Sequence, residues 1–161
     1  MAVRILVRHH ATNDRIGQLR GSGPRGWTTC AMEETTLANK RIFIAFASED
    51  IRYRDLFVGQ KLLKDTPFDF TDMSAKEPWD EKWKTNCRTR IKGCDGLIAL
   101  LSKHIWNADG AKWEMKCAAE EGIPSLGIHI HADNKGAIPS ELKGRTIEWS
   151  WDGISKFLNS L

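Results

Sequence analysis

No run of apolar residues in this 161-residue chain approaches the ~18 that a bilayer-crossing helix needs. The N-terminus carries arginine and histidine where a secretory leader would have an apolar stretch. The expectation is a soluble, cytoplasmic protein with no membrane partner. Positive charge is not concentrated either. The net charge of +3 comes without the blocks of lysine and arginine that grip a phosphate backbone, so nucleic acid is not an expected partner. Four cysteines, Cys30, Cys87, Cys94 and Cys117, form no CxxC pair and no dense framework, which predicts free thiols in a reducing compartment. The histidine pairs His9-His10 and His129/His131, with His104, lack a convincing third ligand, so no metal is expected.

What is present is enough apolar material, 41% of the residues, for one sizeable core. Residues 1–39 show turn chemistry around Gly21-Ser22-Gly23-Pro24 and no sustained apolar period, and they read as an extension or assembly arm. From Lys40 to Leu161 strands and helices alternate. Arg41-Ile42-Phe43-Ile44-Ala45-Phe46-Ala47 and Gly96-Leu97-Ile98-Ala99-Leu100-Leu101-Ser102 are continuous apolar runs, the mark of strands covered on both faces. Phe68-Asp69-Phe70-Thr71 alternates and reads as an outer strand. Ser125 to His131 and Arg145 to Trp149 supply two more strands.

Between the strands lie four helices. The first is expected to bury Ile51, Leu56, Val58, Leu62 and Leu63 and to leave Arg52, Arg54, Lys61 and Lys64 in solvent, with Ser48-Glu49-Asp50 as its cap. Trp79, Trp83, Cys87 and Ile91 form the stripe of the second, which Gly93 stops. The third carries Glu114 behind a candidate N-cap, Asp109, and stops at Gly122-Ile123-Pro124. Ile154, Phe157, Leu158 and Leu161 line the last. The fold class that follows is α/β: a flavodoxin-like, doubly wound, five-stranded parallel sheet with helices on both faces.

In such a sheet the strand-to-helix loops share one edge, where ligands bind. Ser48, Glu49, Asp50, Asp72, Ser74, Ser102 and Glu114 are expected to gather there, with Glu120 and Glu121 facing solvent. A phosphate-accepting receiver would need an aspartate after the third core strand, where this chain has Leu100-Leu101-Ser102. A dinucleotide-binding turn would need glycine, and Phe46-Ala47-Ser48-Glu49-Asp50 has none. Glu114 itself is compatible with a mere helix-dipole effect, worth roughly 0.3–1 kcal/mol.

Lys40 to Asp50 resembles the first strand and helix start of TIR domains. Trp113-Glu114-Met115, with Ala118-Ala119-Glu120-Glu121-Gly122-Ile123-Pro124 and the strand Leu126 to Ile130, resembles the bacterial TIR-like branch that includes the antiphage Thoeris sensor enzyme. The Arg-Asp-Pro-Gly type loop of animal signalling TIR domains is absent from Asp72 to Pro78. The resemblance implies a TIR-like domain over 40–161 that cleaves the nicotinamide–ribose bond of NAD. The product would be ADP-ribose or a cyclic isomer serving as an immune signal to a downstream effector. It implies NAD as substrate rather than cofactor, self-association through TIR–TIR contacts, and Glu114 as catalytic residue. Phe46, Ala47, Ser48, Asp50, Asp72, Ser74, Trp83 and Trp113 are the candidate substrate-binding residues. Two other readings stay open: a non-catalytic interaction module, and a nucleoside deoxyribosyltransferase-like enzyme.

Overall fold

Ile42, Phe43, Ile44 and Ala45 have essentially no solvent exposure, as a strand sandwiched between two helical layers requires. A computed structural model describes residues 39–74, 82–133, 135 and 138–161, all within the unit Thr36–Leu161. The expected extension up to residue 38, with His9, His10 and Cys30, and also Trp79 fall outside these residues.

Five strands, β1 (Lys40–Ala45), β2 (Phe70–Asp72), β3 (Gly96–Leu101), β4 (Ser125–His129) and β5 (Thr146–Glu148), form one sheet in the order β2-β1-β3-β4-β5. Every pairing is parallel, with Phe43 opposite Leu97 and Ala99 opposite Gly127. The helices are α1 (Ile51–Gln60), α2 (Trp83–Lys92), α3 (Asp109–Glu120) and α4 (Trp151–Asn159). Alternate strand residues feed two cores. Phe43, Ala45, Leu97, Ala99 and Leu101 pack with Trp83, Cys87 and Ile91 of α2 and Met115, Cys117 and Ala118 of α3. Ile42, Ile44, Ile98, Leu100 and Ile128 pack with Phe57 of α1 and Ile154 and Leu158 of α4. The doubly wound α/β architecture is thus the one read from the sequence, and β2 is an edge strand as its alternation suggested.

Two local expectations are overturned. Helix α1 buries Phe57 and Arg54, while Ile51, Leu56, Leu62 and Leu63 are more than half exposed and Val58 is half-buried. Its inward face is set by a polar partner on β2, described below, and not by its aliphatic side chains. Asp109 is not an N-cap: Ala108 holds that position, and Asp109 opens the helix in an ion pair with Lys112 at 2.8 Å. Likewise Asp50 occupies the N-cap of α1 without making a capping bond.

The end of α3 follows its sequence closely. Gly122 has φ +70°, the Ile123 N–H reaches the Ala118 carbonyl at 2.9 Å and the Gly122 N–H the Ala119 carbonyl at 3.3 Å. This is the paired closure of a helix by a left-handed glycine. A second glycine is constrained by space. A Cβ on Gly127 would stand 2.7 Å from a Leu101 methyl and 2.8 Å from one of Leu142. Gly127→Ala is therefore expected to lower stability by ~1–3 kcal/mol through overpacking, read as a lower urea midpoint at unchanged slope. An unshifted midpoint would mean that the Leu101 and Leu142 side chains yield without cost.

Candidate functional site

The chain leaves β1 toward β2 on one side and leaves β3 toward β4 on the other, so the carboxyl ends of β1 and β3 form the topological switch point where ligands bind in such sheets. Two polar residues meet there. Asp50, in the 3-10 turn Ser48–Asp50 after β1, is buried, and its Oδ2 accepts the Ser102 hydroxyl at 2.5 Å. Ser102, directly after β3, in turn accepts the His104 N–H at 2.9 Å. Phe46 is half-buried against the α1/α4 core, Ala47 is fully buried, and Ser48 is exposed with its hydroxyl on Glu49.

A second group closes the end of β2. Arg54 projects from α1 and donates through Nη2 to Asp72 Oδ2 and to Ser74 Oγ at 3.1 Å, and through Nη1 to Asp55 at 2.8 Å. Asp72 Oδ1 accepts both the backbone N–H and the hydroxyl of Ser74, at 2.9 and 2.6 Å. The Arg54 and Asp72 side chains are about nine-tenths buried, at 9% and 10% exposure. Both Asp72 oxygens are therefore engaged within the protein.

Glu114 lies on the second turn of α3, whose inner face packs over the sheet and against α2. The residue is 8% exposed. Its one hydrogen-bond contact among the described residues is the Cys87 thiol, with Sγ 3.9 Å from Oε1. Burial pushes the carboxyl up to about 8, against a small opposing effect of the thiol. The Cys87 thiol is itself driven far upward by burial and by the neighbouring Glu114 charge.

Residues 43–135, more than half of the chain, match the family model described as Thoeris protein ThsB, TIR-like domain. The chain belongs to this Thoeris TIR-like family. The matched span of the TIR-like domain runs from β1 through β4 and includes Asp50, Arg54, Asp72, Ser102 and Glu114. No curated protein matches the chain. Among solved structures, the CMP N-glycosidase BcmB of Clostridium botulinum is similar at 16% identity with a TM-score of 0.47, over 76% of this chain and 100% of that one. A 3-dehydroquinate dehydratase-like protein from Bifidobacterium longum is similar at 14% identity with a TM-score of 0.40, over 76% of this chain and 94% of that one.

Hydrogen bonding divides the candidate residues of the TIR-like domain into three groups: Asp50 with Ser102, Asp72 and Ser74 with Arg54, and Glu114 with Cys87. Trp83 is buried beside Cys87 on α2, its ring 5.2 Å from that of Trp113. Trp113 is half-buried on the α2/α3 side, with the Arg88 guanidinium 5.8 Å above its ring. Glu120 and Glu121 are not simply solvated, since both bind Arg88. Two participants escaped the sequence reading. Arg54 was assigned to solvent, and only the pairing of β1 with β2 brings Asp72 to it. Ser102 was named for the rim but not as the partner of Asp50, which depends on β1 and β3 being neighbours. His129 belongs with the buried polar residues: it is 6% exposed, and its Nδ1 has no partner among the described residues.

Proposed function

We propose that this TIR-like domain cleaves the nicotinamide–ribose bond of NAD, releasing nicotinamide and yielding ADP-ribose or a cyclic isomer as a signal in antiphage defence. The observation that carries the reading is the state of Glu114. Beside Asp72, which has the Arg54 guanidinium, two acids are buried among the described residues, and Asp50 has the Ser102 hydroxyl. Among those residues Glu114 has only a thiol as partner, and no cation. A buried carboxyl with so little compensation is a cost to the fold, and such groups cluster at working sites.

The chemistry suits that environment. Departure of nicotinamide from ribose leaves a sugar with oxocarbenium character, and the leaving group is already a neutral amine, so no proton donor is needed. A carboxylate in a water-poor site stabilises that charge far better than one in water. Burial holds Glu114 mostly protonated at neutral pH before substrate binds. The positive nicotinamide ring of NAD would favour its ionised form as it enters, by the ordinary effect of a nearby opposite charge.

Chromatography for nicotinamide after incubation with NAD, at low and high protein concentration, tests the proposal. Release is expected, and it should rise more than in proportion to protein if self-association completes the site. Because kcat/KM reports ionisation of the free enzyme, it should climb with pH through a midpoint near 8 and level off only above it, where Glu114 is ionised before binding. Absence of nicotinamide at every concentration would overturn the enzymatic reading in favour of the non-catalytic interaction module. That second reading has its own observation, the exposed Ile51, Leu56, Leu62 and Leu63.

A further inference from the structure

On the outer side of the α2/α3 pair lies an open groove of about 230 Å³, lined by Lys84, Thr85, Arg88, Thr89, Lys92 and Trp113. Its basic wall is a repeat along α2: Lys84, Arg88 and Lys92 stand four residues apart, so one helical turn, roughly 6 Å, separates each from the next. Trp113 forms the opposite wall, and Arg88 lies over its ring at 5.8 Å. The guanidinium is held in place from α3, where Nη2 donates to Glu120 at 2.6 Å and Nη1 to Glu121 at 2.5 Å. Those bonds use two of its five N–H donors. Lys92 is paired with Glu121 at 3.4 Å, and Lys116 stands 4.0 Å from Glu120. Lys84 has no carboxylate partner among the described residues. Four cations thus face two carboxylates, and the surplus positive charge lies at the Lys84 end.

We propose that this groove binds a small phosphate-bearing nucleotide, with its base against the Trp113–Arg88 stack and its phosphate between Lys84 and Arg88. Aromatic rings and guanidinium planes both stack on nucleobases, and paired cations one turn apart bracket a phosphate with charge-assisted bonds. At about 230 Å³ the open groove gives a footing for one base and one phosphate, the parts of a mononucleotide, and does not enclose a whole dinucleotide. This site is separate from the environment of Glu114, whose carboxyl lies on the buried side of the same helix.

The test titrates AMP into the full chain carrying Glu114→Gln, which keeps turnover out of the measurement, and follows backbone amide shifts at low salt. Shifts are expected along residues 84–92 and around 113. Lys84→Ala should weaken AMP at least about fivefold and Lys92→Ala less, because only Lys84 lacks a competing carboxylate. Added salt should weaken binding further. Trp113→Leu should remove the preference for AMP over inorganic phosphate while phosphate still binds. Trp113→Phe, which keeps an aromatic face, should retain that preference and guards against loss of fold. No AMP binding, binding indifferent to Lys84, or shifts confined to residues 46–50 and 102 would overturn the proposal. Failure of the glycosidase reading would leave the AMP result untouched, so the two are judged separately.

Discussion

Glu114→Gln is expected to abolish nicotinamide release and, at the same time, to make the protein more stable. The loss of activity should be on the order of 10²–10⁴-fold, the range for removing one group that stabilises or transfers charge in the transition state. The gain in stability follows from linkage. In the unfolded chain Glu114 titrates near its ordinary 4.5, and in the folded protein near 8. Between those values the folded state retains a proton that the unfolded state has released, so the contribution of Glu114 to wild-type stability is most favourable below about 4.5 and falls as pH rises toward 8. The slope is at most ~1.4 kcal/mol per pH unit. Glutamine has no such titration. The lead of the variant over wild type should therefore be smallest near pH 5 and widen toward pH 8. Urea midpoints at several pH values, taken beside the NAD assay, check both halves. Undiminished turnover would remove Glu114 from the chemistry, and a lead that does not grow with pH would mean the carboxyl is solvated in the folded state.

Arg54→Ala is expected to be severely damaging, costing ~3–5 kcal/mol, because it leaves the Asp72 carboxylate buried beside Ser74 without its cation. Against a typical domain stability of ~5–15 kcal/mol that approaches unfolding. The double variant Arg54→Ala/Asp72→Asn should recover much of the loss, since no uncompensated charge is then buried. A double-mutant cycle by urea denaturation should give a coupling of at least ~1–2 kcal/mol. A loss below ~1 kcal/mol for Arg54→Ala would show the pair to be hydrated and unimportant to the fold. The same network changes what Asp72 can do. Both its oxygens are occupied, so Asp72→Asn should act first on stability, and any effect on NAD turnover should come through the placement of the loop that follows β2.

The architecture was legible because its signals are local. A strand buried on both faces must be apolar at every position, and Ile42 to Ala45 and Leu97 to Leu101 are. Gly122 before Ile123-Pro124 marks a helix end because a left-handed residue is needed there. Helix α1 was misread for the opposite reason. An arginine can turn inward only if an acid waits for it, and that acid is 18 residues away, delivered by strand pairing that no helical period encodes. Once Arg54 turns inward, Leu56, two residues on, lies outside, and Leu62 and Leu63 fall in the turn beyond the helix end at Gln60. At the candidate site, Glu114 could be singled out by resemblance and by its position on α3. That its carboxyl lacks a cation, that Asp50 is bound to Ser102, and that Trp113 lies under Arg88 in an outer groove are all products of packing between distant segments.

The strand order also bears on how the chain is made. The principal neighbour of β1 is β3, and the register sets Phe43 against Leu97, 54 residues later. During synthesis β1 can meet β2 early, but its other edge stays open until β3 has left the ribosome. An apolar strand with a bare edge is the form in which nascent chains associate wrongly. From the exit of Ala45 until the exit of Leu101, that open edge is where the nascent chain is most exposed to wrong pairing.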